Sequence, residues 1–129
     1  MPVSKLLYTG NPINSDYFKL KKQKIFNNNR KTILITGGSQ GSRFINQTLA
    51  AIMTKLTEKY NVIHICGKND YSWLVKNKWD NYKLYDYTSD FAKFLIGCDI
   101  VISRSGGTIF EIAYCKKVAI LITKIRNLK

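Results

Sequence analysis

The chain has 129 residues and a mass of 14.8 kDa, 45% of them apolar, enough for one compact domain that buries roughly two-thirds of its unfolded surface and too few for two. Its 21 basic residues against 8 acidic ones give a net charge of +13, which could favour a phosphorylated ligand, an anionic membrane surface or nucleic acid, although only Lys19–Lys24 and Asn29–Lys31 cluster and solvated surface charge is the plainer reading. No apolar run approaches the roughly 20 residues that span a bilayer, and the start Met1-Pro2-Val3-Ser4-Lys5-Leu6 lacks a signal-peptide pattern, so a cytoplasmic location is expected.

Residues 1–30 hold the apolar Leu6-Leu7-Tyr8, the turn-like Gly10-Asn11-Pro12 and a basic stretch, Lys19 to Lys24, and read as a lead-in or linker segment. From Lys31 the pattern alternates: strand 31–36, helix 43–59, strand 61–66, helix 70–77, strand 82–86, helix 90–97, strand 100–103, helix 107–115 and strand 118–122. Such alternation predicts an α/β fold, a Rossmann-like parallel sheet with helices on both faces, over residues 31–129. Phe44, Leu49, Ile52, Met53 and Leu56 recur at helical spacing and predict the buried face of the first helix. Ser89 is the expected N-cap of the helix that begins at Asp90. Cys66, Cys98 and Cys115 lie far apart in apolar segments, which predicts reduced thiols, and neither a structural metal nor a cofactor is expected.

In a doubly wound sheet the loops after the strands carry the ligand chemistry. Gly37-Gly38-Ser39-Gln40-Gly41-Ser42 links a strand to a helix, where glycines let the backbone approach an anion and the helix start supplies N–H groups; such turns also serve simply to pack a helix on a sheet. Asp86-Tyr87-Thr88-Ser89-Asp90 offers a flat ring for a base. Ser103-Arg104-Ser105-Gly106-Gly107-Thr108 leads into a helix whose Glu111 could accept hydrogen bonds from ribose hydroxyls. Tyr87 packing on the sheet edge and Glu111 as a solvated carboxylate are the plainer alternatives. His64, the single histidine, lies in an apolar strand and reads as a packed core residue.

Four strings in order, Gly10-Asn11-Pro12-Ile13, Ile33 to Asn46, Val62 to Lys68 and Val101 to Gly107, resemble the MurG family of bacterial peptidoglycan N-acetylglucosaminyltransferases. The resemblance covers about residues 8–122 and corresponds to the beginning and middle of that family's C-terminal, donor-binding domain. It implies the GT-B fold and transfer of N-acetylglucosamine, with inversion, from UDP-N-acetylglucosamine to the lipid-linked muramyl-pentapeptide in cell-wall synthesis, hence a membrane-associated role in cell shape and division. The residues that match the family's donor contacts are Gly38, Ser39, Gln40, Gly41, Tyr87, Thr88, Gly106, Gly107, Thr108 and Glu111. No catalytic residue is carried over, because the family's catalytic base lies in an N-terminal domain that these residues do not match.

Residues 31–129 are therefore expected to be a truncated UDP-sugar binding domain, inactive alone, at the cytoplasmic face of the cell membrane. Asn14 stands where the family has an Arg on the donor phosphates, a lost contact of about 1.5–3 kcal/mol. The interval from Arg104 to Glu111 is one residue shorter than usual, and Cys115-Lys116-Lys117 replaces a Gly-Lys-Pro turn. Two further readings stay open: a non-catalytic nucleotide-sugar binding module, and one subunit of a split glycosyltransferase whose acceptor domain is a separate chain. Nucleic acid is not an expected partner, since no recognised binding motif accompanies the charge.

Overall fold

The computed structural model describes residues 20–37, 41–104, 106 and 108–123. Five strands form one parallel sheet: β1 Thr32–Thr36, β2 Asn61–Ile65, β3 Tyr82–Tyr85, β4 Ile100–Arg104 and β5 Val118–Ile122. Four helices cross between them: α1 Arg43–Lys59, α2 Lys68–Leu74, α3 Phe91–Gly97 and α4 Ile109–Tyr114. The strand order is β3-β2-β1-β4-β5, so the chain reverses its direction of winding between β1 and β4. In such sheets the crevice beyond the carboxyl ends of those two strands is where ligands bind.

The central strands are buried on both faces, which is why β1 and β2 read as continuous apolar runs. Ile33, Ile35, Val62 and Ile102 pack with Ile45, Leu49 and Met53 of α1. Leu34, Ile63, Ile65 and Val101 turn the other way, onto Phe94 and Leu95 of α3 and Ile112 of α4. Each fully buried Leu or Met contributes about 1.5–3 kcal/mol over leaving it in water. Phe26, from the segment before β1, is buried in the α3–α4 side of this core. The same segment runs past Gly97, where an added Cβ would lie 2.7 Å from Ile25 Cδ1. Asn28 and the buried Asn61 exchange amide hydrogen bonds of 2.9 and 2.8 Å, so residues ahead of β1 are tied to the start of β2.

Three sequence expectations need correction. Phe44 and Ile52 do not belong to the buried face of α1: they are 50% and 44% exposed, and the buried stripe is Ile45, Asn46, Leu49, Met53 and Thr57. Periodicity gives a helix an apolar sector but not the flank on which a neighbour lies. Ser89 does not cap α3; Asp90 occupies the N-cap position without a side-chain cap, and Thr88 Oγ1 instead accepts from the Asp90 N–H at 2.9 Å. The second helix is displaced towards the N-terminus, starting at Lys68 after Gly67 at φ 85°. Its Asp70 therefore points inward. Cys66 and Cys98 are buried free thiols and Cys115 is a half-buried one, and burial pushes Cys66 up to about 11 and Cys98 to about 12. No helix among the described residues is long and apolar enough to cross a membrane.

Candidate functional site

The turn from β1 into α1 is tight at both glycines that the structure describes. A Cβ on Gly37 would lie 2.4 Å from the Ser42 nitrogen, and one on Gly41, at φ +80°, would lie 2.3 Å from the Cys66 carbonyl oxygen. Only glycine allows the turn to pass this close to the end of β2. Ser42 then caps α1, its Oγ accepting from the Ile45 N–H at 3.3 Å. The N–H groups of Arg43 and Phe44 are not engaged by that cap, so the 17-residue helix keeps donors and the positive end of its dipole at the mouth of the sheet.

Two hollows open at the carboxyl ends of the strands. The first, about 170 Å³, is lined by Thr36, Ile65, Asp86, Tyr87, Thr88, Phe91, Thr108 and Glu111. The second, about 260 Å³, is lined by Gly41, Ser42, Arg43, Phe44, Ile45, Arg104 and Ile122. Of the residues expected at the site, the structure thus brings Tyr87, Thr88, Thr108 and Glu111 around one hollow and places Gly41 in the other. Gly38, Ser39, Gln40 and Gly107 lie outside the described residues, as does Asn14. Gly106 lines neither of these hollows, and a Cβ there would meet nothing within 4 Å; its carbonyl accepts from the Ile109 N–H at 3.1 Å.

Local bonds hold these side chains in place. Tyr87 stands 64% exposed at the rim, its N–H donated to Asp86 Oδ1 at 2.7 Å. Thr108 is joined to the buried Ser103 through their hydroxyls at 3.2 Å, fastening the start of α4 to the end of β4. Asp86, Phe91 and Arg104 join the expected set. The position of each at or just after the end of a strand, or at the start of the helix that follows, was the available signal.

Beneath the β1–α1 turn lies a buried polar network that sequence reasoning missed. Asn46, fully buried on α1, donates through Nδ2 to the Cys66 carbonyl at 2.9 Å and to Asp70 Oδ2 at 2.7 Å. Both partners only accept, so the amide orientation is fixed and Oδ1 faces His64 Nε2, at 2.8 Å. His64 must then carry its proton on Nε2 and accept at Nδ1 from the Tyr82 hydroxyl, at 2.7 Å. Burial lowers the His64 pKa to about 4, against a smaller opposing pull from Asp70. For Asp70, burial works to raise the pKa, but hydrogen bonds from Asn46 and Trp73 and the Arg43 guanidinium, 2.7 Å away, hold it below the ordinary range. The network joins β2, β3, α1 and α2 under the Gly41 turn. Its traces in the sequence were two polar residues in apolar settings: Asn46 beside Ile45, and His64, whose reading as a packed core residue holds.

Residues 32–127 match the model of the glycosyltransferase family 28 C-terminal domain. The chain belongs to this family. It is 40% identical over 126 residues to the UDP-N-acetylglucosamine–N-acetylmuramyl-(pentapeptide) pyrophosphoryl-undecaprenol N-acetylglucosamine transferase of Clostridium perfringens, covering 92% of this chain and 35% of that one. To the second enzyme of that name in Bacillus cereus it is 33% identical over 129 residues, covering 95% of this chain and 36% of the other. The crystal structure of Acinetobacter baumannii MurG superposes with a TM-score of 0.64 over 84% of this chain and 31% of that one, at 24% identity, which supports the shared fold. The expected resemblance to the MurG family and its Rossmann-like donor-domain fold therefore holds. The family 28 chain described here spans about a third of the length of the relatives it matches.

Proposed function

We propose that this chain binds UDP-N-acetylglucosamine and serves as the donor-binding part of an N-acetylglucosaminyl transfer to a lipid-linked peptidoglycan precursor. The convergence of Tyr87, Thr88, Thr108 and Glu111 on one hollow, beside the reversal point of the sheet, carries the reading. At about 170 Å³ the hollow is smaller than the roughly 300–1,000 Å³ of a complete ligand site and suits a base or a single ring. Tyr87 supplies a face for the uracil, Thr88 and Thr108 supply hydroxyls, and Glu111 accepts from the ribose. The diphosphate then runs over the neighbouring hollow, towards the first-turn N–H groups of α1 and the Arg104 guanidinium. The Gly38-Ser39-Gln40 stretch and Gly107 complete the donor contacts.

The names of the relatives support the chemistry: their donor is a UDP-sugar and their acceptor carries an undecaprenyl chain. The same acceptor supports residence at the cytoplasmic face of a membrane. Transfer itself requires an acceptor site and a base from another part of the enzyme or from a partner chain. His64 cannot be that base, because it is fully buried and both ring nitrogens are engaged. This observation favours, for the chain alone, nucleotide-sugar binding without turnover.

Calorimetric titration with UDP-N-acetylglucosamine, UDP and ADP tests the proposal. Both uridine ligands should bind at least tenfold tighter than ADP, and Tyr87→Ala and Glu111→Gln should each weaken UDP about tenfold. Equal affinity for UDP and ADP would sink the assignment.

A further inference from the structure

A groove between α1 and the segment from α2 to β3 shares only Arg43 with the two hollows described above. Its volume is about 590 Å³, more than three times the 170 Å³ hollow proposed for the base and within the roughly 300–1,000 Å³ of a small-molecule site. On the α1 side Ala50 and Ala51 leave room, and the other side is lined by Trp73 of α2 and Trp79 ahead of β3. These are the two tryptophans of the chain, and both are half-buried. All the lining residues fall between Arg43 and Trp79, inside the continuously described stretch 41–104.

The aromatic side is fixed from within. One oxygen of the buried Asp70, Oδ1, accepts from Trp73 Nε1 at 3.0 Å and from Arg43 Nε at 2.7 Å. Trp79 Nε1 donates to Thr54 Oγ1 at 3.2 Å, and its ring meets that of Tyr82 edge-on, centroids 5.0 Å apart. With both indole N–H groups engaged, the tryptophans offer a ligand carbon surface. Uncharged polar groups border that surface. The exposed Gln47 brings an amide with two donors and an acceptor, while Asn77 donates Nδ2 to the Leu74 carbonyl at 3.3 Å and keeps Oδ1 as an acceptor. Among the described residues no carboxylate lines the groove, and Asp70 offsets the charge of its one cation, Arg43.

Aromatic carbon bordered by amides matches a ligand with a flat C–H face and a rim of hydroxyls, which is the chemistry of a pyranose ring. We propose that this groove binds a neutral oligosaccharide, a sugar ring stacked on a tryptophan and its hydroxyls bonded to Gln47 and Asn77. A phosphorylated ligand is a poor occupant, because Arg43 is already paired with Asp70. Indoles held in advance lose little freedom when the ligand arrives. The inference is independent of the nucleotide-sugar reading.

Since both tryptophans line the groove, the tryptophan fluorescence of the full chain reads it directly. Titration with chitotriose and with maltotriose should change the emission saturably. At least one of them should bind about tenfold or more tighter than sorbitol, which has hydroxyls but no ring, and than adenosine, which has a flat base. Ala51→Leu, which fills the groove, and Gln47→Ala, which removes an amide, should each weaken binding about fivefold or more. Ile52→Ala, on the opposite flank of α1 by helical spacing, should leave it unchanged. Circular dichroism checks the fold of each variant; if Ala51→Leu disturbs the packing of α1, Gln47→Ala decides. The proposal is overturned by no saturable change with either oligosaccharide, by an equal response to sorbitol or adenosine, or by wild-type affinity in Gln47→Ala.

Discussion

Two residues concentrate the physical demands of the site. Gly41 has both a positive φ and a carbonyl 2.3 Å from where a Cβ would stand, so Gly41→Ala must either move the turn off the end of β2 or strain it. A loss of about 1–3 kcal/mol in urea unfolding is expected, with weaker donor binding beyond the loss in stability. His64 makes a sharper prediction, because it is the only histidine and its NMR signals are unambiguous. Its folded pKa of about 4 lies below the ordinary 6.5, so between these values the unfolded chain takes up a proton that the folded chain refuses. The stability contribution is complete above pH 6.5 and falls as the pH drops towards 4, by about 3 kcal/mol in all. Imidazole spectra should show the neutral Nε2–H tautomer down to pH 5; a protonated ring at pH 6 would refute the network as drawn.

At the scale of elements, adjacent lysines between α4 and β5 have opposite effects. Lys117 Nζ donates to the carbonyls of Ile96 and Cys98, at 2.7 and 2.8 Å, satisfying the end of α3 where a positive charge is favourable. Lys117→Met should cost about 1–2 kcal/mol. Lys116 adopts φ 55°, a left-handed conformation that costs a residue with a Cβ roughly 1–2 kcal/mol. Lys116→Gly should recover up to about 1 kcal/mol of this, after the greater freedom of glycine in the unfolded chain is counted. Denaturation midpoints of the two variants should move in opposite directions. The strands were legible to within about one residue because apolar runs bounded by turn residues specify them locally. The flank of α1 was not legible, nor was Asp70, which burial would penalise but for Arg43 and Asn46 on α1, remote in sequence, and Trp73 on its own helix. Thr88 in place of Ser89 at the entry to α3 was equally hidden: either hydroxyl suits a helix start, and only the path of the backbone chooses. Tyr87, Thr88, Thr108 and Glu111 were legible as a group because parallel winding sends every post-strand loop to one end of the sheet.

For the whole molecule, charge and site lie apart. Lys22, Lys24, Arg30, Lys31, Lys59 and Lys116 gather near the amino ends of the strands, while the mouth mixes Arg43 and Arg104 with Asp86, Asp90 and Glu111. Among the described residues the positive charge is thus not focused on the proposed donor site, and affinity there must come from shaped contacts. The family 28 domain described here spans about a third of the length of its relatives. Amide chemical-shift mapping of the labelled chain, titrated with UDP-N-acetylglucosamine, tests the donor site most directly. Saturable shifts are expected at Thr36, Gly41, Tyr87, Thr88, Thr108 and Glu111. Shifts clustered instead around Asn28 and Asn61 at the opposite end of the sheet, or none at saturating ligand, would contradict the donor-site assignment.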